Sequence, residues 1–534
     1  MKSLRVVSAI GLAALLILTG APGLSQTPKP GGSLTLRLRE DLPHGFAINE
    51  SPTISTMWPA MPCLSNLVLF DPMKPVHSVE TIIPELAERW SWQDGYRKLV
   101  FSLRSGVKWH DGKPFSATDV KATLDLLREA PDAPGKLRLN PRREWWANVE
   151  AVEAPDPQTV VFRLHRPQPS LLLLLASGYT PIYAAHVPPA SYRTGCVGTG
   201  PFKLKEWRTG EFVEYVKNPD YFIKGRPYLD GLRYLLVTDR GTAMAALQAG
   251  RVDVSFPGDT TKPMADQLKS AVPKLVITPV SASVLDHLIF NTRKPPFDSP
   301  KLREAVSRAM DRRAYAAAVY HGGAVLGASM PPKPYGVWGL AESDLRALPG
   351  YGNPADEKAK ARAMLAEAGF GPSNPLRLGL LTRNLPAFAD LGAFVVSELR
   401  RVGIDASMKQ IDTTQWYPLQ SRGEFQIGTD RNGLEPDDPD ANFYEFFGCK
   451  SSRNYSGYCN EEIARLIDQQ SQELDPKKRL ALVHQLQIKL EQTAVRPVLG
   501  WRLDYFTMWP HVKNLVPHHS IYGWGRMQEV WRDN

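Results

Sequence analysis

Residues that could do acid–base chemistry stand together in the stretch GVKWHDGKPFSATDV, residues 106–120. His110 is next to Asp111, and Lys113 follows two positions later. A histidine oriented by a carboxylate is the usual base of a hydrolytic site. The stretch is therefore either part of an active site or scaffold, that is, a segment with a purely structural role.

Local backbone signals favour scaffold. Asp111-Gly112 suits a tight turn, because glycine accepts a positive φ cheaply. Ser116 lies three residues before Asp119, which is the spacing of a capping box with aspartate in place of glutamate. The residues that follow place apolar side chains on one face of a helix. We expect His110 to lie in a turn and Asp119 to cap a helix.

No other pattern favours an enzyme. The sequence contains neither G-x-S-x-G nor H-E-x-x-H, and among its 11 histidines only His518-His519 form an adjacent pair. A secreted hydrolase would need a nucleophile with its base, or paired carboxylates in a cleft. The sequence predicts a protein that is not an enzyme and uses no cofactor or metal.

The N-terminus indicates export. Lys2 and Arg5 precede an uncharged apolar run at residues 6–20, and Gly23 and Ser25 supply the small residues that a signal peptidase requires. An apolar run of this length falls short of the roughly 20 residues that span a bilayer. We predict a signal peptide over residues 1–25. No cysteine lies near the cleavage zone, which argues against a lipoprotein and favours a soluble exported protein.

Chain length and charge limit the number of domains and the kind of partner. A chain of 534 residues is too long for one hydrophobic core, so two or three domains are expected. The net charge of +9 becomes +7 once Lys2 and Arg5 are removed (9 − 2 = 7). The basic residues form no single run and are not interleaved with aromatic residues, so no nucleic-acid partner is predicted.

The four cysteines are expected to form disulfides, because their number is even and the compartment is oxidising. Three pairings are possible. Cys449 and Cys459 are close in sequence and could close a short loop, and Cys63–Cys196 would then follow by elimination. No spacing suits zinc.

Alternating strand and helix patterns predict α/β domains. A β-rich block comes early, with two strands around Asp94-Gly95, and a hairpin is expected at Thr209-Gly210. Later, SPKLREAVSRAMDRRAYAAAVY predicts a helix with Ser299 as N-cap and Pro300 at its first position. The GTG at 198–200 is followed by a strand pattern without GK[ST], so it is not a phosphate loop.

Five signatures together resemble one family over nearly the whole mature chain. They are LVFSLRSGVKWHDGKPFSATDV, VGTGPFKLKEW with NPDYF, LIFNTRKPPFDSPKLREAVSRAMDR, KAKARAMLAEAGF and NYSGYCNEEIARLIDQ. The family is the extracytoplasmic solute-binding proteins of ABC importers, family 5, the peptide/nickel-binding class. The resemblance implies an α/β fold of the periplasmic-binding-protein-like II type, with two hinged lobes and a β-rich subdomain inserted in lobe I. On this chain, lobe I would take residues 26–73, 197–280 and 499–534, the insertion 74–196, and lobe II 281–498.

The resemblance also implies how such a protein works. The lobes close over a peptide or another small solute, and an inner-membrane permease with its ATPase subunits receives it. A ligand favours closure only to the extent that it binds the closed state better. The protein is expected to be a periplasmic monomer. The alternative is a receptor for a metal chelate or another charged molecule, such as an opine-like conjugate.

One group of candidate ligand residues lies in DRNGLEPDDPDANFYEFF. Peptide-binding members place an aspartate shortly before an acidic-Pro pair to bind the peptide's α-ammonium. Register on Asp438-Pro439 puts Glu435 at this position, and Asn432 replaces the family's tryptophan. Both departures argue against ordinary dipeptide binding. Alternatively, the segment is a solvated acidic loop that begins a helix, and a buried Glu435 would need a cationic partner.

A second group comes from the nickel-binding members, where an arginine and a tryptophan three residues apart face the cleft. Arg143 and Trp146 have this spacing and could bind a carboxylate or a planar group. They could equally be a surface arginine and a core tryptophan. Where those members place an aromatic residue and a tyrosine, this chain has Asn432 and Asp437. Trp416 could line the cleft or pack in a core.

Overall fold

The structure is a computed structural model that describes residues 27–434, 436–520 and 525–533. The predicted signal peptide and Glu435 lie outside the described residues. No helix within the described ranges is long and apolar enough to cross a membrane.

The strands are β1 (Ser33–Leu38), β2 (Val68–Phe70), β3 (Ile82–Pro84), β4 (Ala87–Gln93), β5 (Lys98–Leu103), β6 (Val149–Asp156), β7 (Thr159–Leu164), β8 (Phe202–Arg208), β9 (Phe212–Lys217), β10 (Gly231–Leu236), β11 (Val276–Phe290), β12 (Ala324–Val325), β13 (Arg377–Arg383), β14 (Asp405–Ile411), β15 (Ile427–Gly433), β16 (Val498–Met508), β17 (Val512–Lys513) and β18 (Trp531–Arg532). The helices are α1 (Ile54–Ala60), α2 (Ala117–Leu127), α3 (Leu171–Ala176), α4 (Arg240–Gln248), α5 (Lys262–Ala271), α6 (Pro300–Ala309), α7 (Arg312–Tyr320), α8 (Glu342–Arg346), α9 (Pro354–Glu367), α10 (Pro386–Arg401), α11 (Thr413–Ser421), α12 (Pro439–Phe447), α13 (Glu461–Gln472) and α14 (Pro476–Thr493).

The first lobe is built on a sheet in the order β1-β10-β9-β8, in which β1 and β10 are parallel and the other pairs antiparallel. β1 buries Leu34, Leu36 and Leu38, so its alternating pattern points one face into the core. The predicted hairpin between β8 and β9 is confirmed, with Gly210 at a positive φ of 80°. This sheet packs into the apolar core that also contains α1.

The second lobe has a mixed six-stranded sheet in the order β12-β16-β11-β15-β13-β14. The predicted helix start, with Ser299 as N-cap and Pro300 at the first position, is confirmed in α6. The predicted single helix is wrong, because the chain leaves the helical conformation at Met310 and begins α7 with Asp311 as a second N-cap. The β13–β14 and β13–β15 pairs are parallel, and α10 follows β13 across the sheet face. The carboxyl ends of β13 and β15 therefore lie at the same edge, where α/β proteins bind ligands.

Two strands, β11 and β16, run through both lobes. The first half of β11 pairs with β16, and a bridge from Val254 to Met508 joins β16 to the first lobe through Leu36. The second half of β11 pairs with β15 in the second lobe. Between the halves the β11–β16 register shifts from Ser281 to Leu285. A β-bulge of this kind bends a strand, so the crossing is the natural hinge.

The β-rich block forms a third unit, a sheet in the order β4-β5-β7-β6 that packs against α2. The capping box predicted for α2 is confirmed, because the Ser116 and Asp119 side chains each accept from the other's backbone N–H. His110 lies in the turn before it, 3.0 Å from the Gly200 carbonyl oxygen. Burial lowers the pKa of His110 to about 4, so the imidazole is neutral. The charged motif is scaffold.

The four cysteines form two disulfides, Cys63–Cys196 and Cys449–Cys459. The backbone packing beside Cys63 of the first disulfide explains the two glycines of the GTG sequence at residues 198–200. A side-chain carbon on Gly198 would stand 1.7 Å from the Cys63 carbonyl oxygen, and one on Gly200 2.5 Å from the Cys63 carbonyl carbon. Glycine is needed here for close backbone approach, not for binding phosphate.

Candidate ligand-binding site

The two lobes meet directly at Glu40, which follows β1 in the first lobe. Its carboxylate accepts a hydrogen bond from Arg383 Nη2 at 2.8 Å and another from Thr413 Oγ1 at 2.6 Å, both in the second lobe. Ser55 in the first lobe donates a third at 2.5 Å. Burial would raise the pKa of Glu40, but Arg383 and Arg39 hold it below its usual value. The carboxylate is therefore an ionised bridge between the lobes.

Beside this bridge lies a small cavity of about 30 Å³ that four arginines line. Arg39 comes from the first lobe, Arg383 and Arg431 from the carboxyl ends of β13 and β15, and Arg502 from β16. The rest of the wall consists of Pro52, Thr53, Ile54, Pro257, Gly258, Val284, Phe388 and Tyr417. No carboxylate is among these lining residues, so the wall is strongly cationic.

Three carboxylates behind the wall partly neutralise the four guanidinium groups. Arg383 pairs with Glu40, Arg39 with Asp259 at 3.3 Å, and Arg431 with Asp286 at 2.9 Å. Asp259 is shared with a fifth arginine, Arg37, at 2.9 Å. Two further buried carboxylates lie near these arginines, because Asp430 interacts electrostatically with Arg383 and Asp504 with Arg502. The positive and negative charges buried at this place are therefore nearly matched.

Several N–H groups of these arginines have no hydrogen-bond partner among the described residues. They are Arg39 Nε, Arg431 Nη1 and Arg502 Nε, and each is buried. A buried donor without an acceptor costs about 1–3 kcal/mol. Burial also lowers the pKa of the Arg39 guanidinium, because it penalises the charged form. An anion in the cavity would accept hydrogen bonds from these donors.

Asn432 lies behind the cavity in a second polar layer. Its side chain contacts Arg453, whose Nη1 donates to Glu445 at 2.6 Å and to the Pro52 carbonyl across the lobe interface at 3.4 Å. Arg496 belongs to the same layer, and burial lowers its pKa to about 9. Asn432 therefore contacts a residue that bonds across the lobe interface, and it does not line the arginine cavity.

A second, larger cavity of about 570 Å³ opens between the inserted subdomain and the second lobe, and we call it the chamber. Asp437 lines it. Its Oδ2 accepts from the backbone N–H of Val337 at 3.3 Å, and its Oδ1 accepts from no described residue. Burial raises the pKa of Asp437 to about 7. The candidate acid is therefore at a cavity wall, away from the four arginines.

Three other candidates are placed differently. Arg143 is on the surface with its side chain 45% exposed and pairs with Glu129 at 2.8 Å. Trp146 is buried in an apolar cluster to which both the inserted subdomain and the second lobe contribute, and Trp416 is buried in an apolar cluster with Tyr455. None of the three lines the arginine cavity or the chamber. For Arg143 and Trp146 the structure shows the alternative placement, a surface arginine and a core tryptophan, and a part in ligand binding stays a prediction.

Arg142, one residue earlier, is the arginine that reaches the interface. Its Nη1 donates to the Ser51 carbonyl at 2.8 Å, and its guanidinium stacks 3.3 Å above the centroid of the Tyr179 ring. Its Nε is 3.7 Å from Glu445 of the second lobe. Sequence reasoning missed this residue and the cavity arginines. The segments LRLRE, LLTRN and GTDRN could have indicated the cavity arginines, because in each an arginine lies near the end of a buried strand.

Fold and site together define a two-lobed binding protein with a hinge of two strands and a cationic cavity that closes between the lobes. Residues 81–454 match the family described as bacterial extracellular solute-binding proteins, family 5 Middle. The chain belongs to this family, which agrees with the resemblance seen in its motifs.

Curated relatives cover most of the chain. The "Probable di/tripeptide-binding protein 5" of Pseudomonas aeruginosa is 27% identical over 89% of this chain and 91% of its own length. A "Putative ABC transporter peptide-binding protein" of Brucella ovis is 30% identical over 71% of this chain and 69% of its own. The "Heme-binding protein A" of Haemophilus influenzae is 26% identical over 83% and 84%.

Solved structures show the same fold. The periplasmic binding protein DppA of Helicobacter pylori, in complex with the peptide STSA, has a TM-score of 0.82 at 20% identity and covers 95% of this chain and 99% of its own. AgaA of A. tumefacien, in complex with agropinic acid, has a TM-score of 0.80 at 22% identity and covers 94% and 99%. The two-lobed α/β fold predicted from the sequence is confirmed.

Proposed function

We propose that the protein is the periplasmic substrate-binding component of an ABC importer, and that it captures a small solute with an anionic group between its lobes. We infer the anionic group from the cavity lined by Arg39, Arg383, Arg431 and Arg502, where buried N–H groups lack a hydrogen-bond partner. Guanidinium groups bind carboxylates by paired, charge-assisted hydrogen bonds. A peptide presents such a carboxylate at its C-terminus.

The curated relatives named above support a peptide or similar solute. The four arginines that line the cavity also favour a second candidate, a small acid other than a peptide, such as an opine-like conjugate. A solute without an acceptor group would leave these buried N–H groups without a hydrogen bond, which is costly. The protein makes and breaks no bond in this proposal, and no cofactor takes part.

Closure follows from the hinge. With the lobes apart, Arg39 and Glu40 belong to one wall and Arg383 and Arg431 to the other. An anion that bridges both walls binds only the closed form well, and it shifts the population toward closure by its differential affinity. The closed form, as a monomer, would be the form that an inner-membrane permease with its ATPase subunits accepts. The signal peptide predicted from the sequence would export the chain.

Calorimetric titration with leucyl-leucine and its amide, leucyl-leucinamide, tests the proposal. We expect the acid to bind at least tenfold more tightly, because only the acid offers a carboxylate to the arginines. Arg383→Gln should weaken binding of the acid by a similar factor. Arg377→Gln is the matched control, since Arg377 begins the same strand with its side chain 81% exposed.

Native mass spectrometry of the protein purified from its own cells weighs any solute that co-purifies and so distinguishes a peptide from another acid. Equal affinity for acid and amide, together with a co-purified neutral solute, would refute the anionic site. Release of altered products during titration would show an enzyme and refute the receptor.

A further inference from the structure

One of the two disulfides closes a loop at the junction of the two lobes and the inserted subdomain. Cys449 and Cys459 are 10 positions apart and enclose residues 450–458. Both cysteines are exposed to solvent, whereas Cys63 of the other disulfide is buried. Thiol–disulfide exchange requires access to a sulfur atom, so a reductant in solution should cleave the loop disulfide first.

The first part of the loop, residues 450–453, crosses from the second lobe to both other units, and we call it the crossing segment. Ser452 Oγ donates a hydrogen bond of 3.1 Å to the carbonyl oxygen of Asn140 in the inserted subdomain. Arg453 Nη1 donates one of 3.4 Å to the carbonyl oxygen of Pro52 in the first lobe. Both bonds require the lobes to be closed.

Charged side chains add to the contacts with the inserted subdomain. Lys450 interacts electrostatically with Glu144. Arg453 also donates to Glu445 of the second lobe at 2.6 Å, and Glu445 in turn lies 3.7 Å from Arg142. The interactions across the interface are lost when the lobes separate, so they stabilise the closed state alone.

The second part of the loop, residues 454–458, is held by the second lobe itself. Thr292 donates to the Ser456 carbonyl oxygen through its backbone N–H and through its Oγ1, each at 3.0 Å. Arg293 Nη2 donates to the Tyr455 carbonyl oxygen at 3.4 Å. The disulfide therefore ties the start of the crossing segment to the end of a part that is fixed on the second lobe.

Hydrogen bonds within the loop remain when the disulfide is cut. The Ser451 N–H donates to the Gly448 carbonyl oxygen at 3.0 Å, and the Asn454 N–H donates to the Ser451 carbonyl oxygen at 3.1 Å. These bonds keep the loop folded, but they leave the crossing segment more conformational freedom than a covalent bridge does. Closure of the lobes would then have to order this segment, which costs conformational entropy.

We propose that the Cys449–Cys459 disulfide is a redox-sensitive latch: when oxidised it holds the crossing segment in the position that closure requires, and its reduction weakens the closed state. This inference rests on the proposed function for the closing motion and adds control of ligand affinity by a dithiol partner. The fold persists on reduction, and the affinity for the solute falls.

The chemistry is ordinary thiol–disulfide exchange. A thiolate of the dithiol attacks one sulfur of the bridge, the S–S bond breaks, and the other sulfur leaves as a thiolate that takes up a proton. The second thiol of the reductant then resolves the mixed disulfide. Two electrons pass to the protein, which gains thiols at Cys449 and Cys459, and the dithiol becomes a disulfide.

Calorimetric titration with leucyl-leucine tests the latch in three forms of the full chain: oxidised, treated with dithiothreitol, and carrying Cys449→Ser and Cys459→Ser together. We expect the reduced protein and this serine variant to bind at least fivefold more weakly than the oxidised protein. Dithiothreitol should leave the affinity of the serine variant unchanged, which excludes a contribution from the other disulfide. Thermal melting checks that each form folds, and the reductant arm is independent of the folding of the variant.

Alkylation with iodoacetamide at increasing concentrations of dithiothreitol needs no ligand. Mass spectrometry of the resulting peptides should find Cys449 and Cys459 labelled before Cys63 and Cys196.

A further variant separates a latch from a bridge that serves only folding. Lys450→Gln with Ser452→Ala removes two side-chain contacts between the crossing segment and the inserted subdomain. It should weaken binding at least fivefold in the oxidised protein but less than twofold further in the serine variant, because both changes act on the same contacts. Lys409→Gln with Ser407→Ala is the matched control, since both residues are exposed on β14 with the same spacing, and it should leave the affinity unchanged.

Several outcomes overturn the latch and leave the receptor in place. These are equal affinity of the oxidised and reduced protein, additive effects of the crossing-segment and serine variants, and labelling of Cys63 and Cys196 before the loop cysteines. If leucyl-leucine does not bind the oxidised protein, native mass spectrometry repeats the comparison with the co-purified solute. Its loss on reduction alone supports the latch, and equal retention rejects it. An oxidised protein that holds neither the dipeptide nor a solute rejects the latch and the proposed function together.

Discussion

Ser170→Ala should weaken ligand binding from a place that does not line either cavity. Ser170 lies in the inserted subdomain, and its hydroxyl donates a hydrogen bond of 2.5 Å to the carboxylate of Asp440 in the second lobe. Gln168 donates a second bond across the same interface at 3.3 Å. Within the second lobe, Ser471 and Gln470 bond the same carboxylate and hold it in place. Opening of the lobes breaks the first two bonds and keeps the last two.

The expected loss of binding free energy follows from the type of hydrogen bond. A hydrogen bond to a charged group contributes about 1.5–3 kcal/mol. We take the lower end, about 1.5 kcal/mol, because Asp440 keeps its other three donors in the variant. When the ligand-free protein is mainly open, the loss falls on the closed state, and the dissociation constant should rise about tenfold.

Calorimetric titration with leucyl-leucine measures this change, and small-angle scattering with and without the dipeptide follows closure. Ser102→Ala is the control, since Ser102 accepts a bond from Arg89 inside the inserted subdomain and does not reach the second lobe. A variant that melts at a lower temperature but binds and closes like the unmodified protein would refute the reasoning, because the contact would then support folding rather than closure.

Two further predictions concern stability. Burial raises the pKa of Glu491 to about 7, although Arg312 and a 3.1 Å bond from Tyr351 oppose it. The folded state binds this proton more tightly than the unfolded state, so the free energy of unfolding should fall by up to about 3 kcal/mol as pH rises from about 4.5 to 7. Denaturant unfolding at several pH values measures this fall, which Glu491→Gln should not show. Chain entropy predicts that Cys63–Cys196, which closes 133 residues, stabilises the fold by about 5 kcal/mol, and that Cys449–Cys459, which closes 10, stabilises it by about 2.7 kcal/mol. The variant with both cysteines of Cys63–Cys196 changed to serine should therefore melt at a lower temperature than the same variant of Cys449–Cys459. The opposite order would contradict the entropic account.

The sequence by itself determined the local elements and the family. The capping box at Ser116, the N-cap at Ser299 and the hairpin at Gly210 depend on hydrogen bonds and φ preferences within a few residues, so the local pattern is sufficient to predict them. The order of five motifs along the chain was specific enough to predict two hinged lobes. His110 could be assigned to scaffold for the same reason.

Only the tertiary structure decided which side chains meet at the candidate site. Glu40 and Arg383 are 343 residues apart and meet across the lobes, so no spacing in the sequence relates them. Arg142 and Arg143 are equivalent in type and adjacent in sequence, yet the backbone turn sends one to the lobe interface and the other to the solvent. A binding cavity depends on the direction of side chains from several distant strands, and those directions are fixed only when the sheets pack.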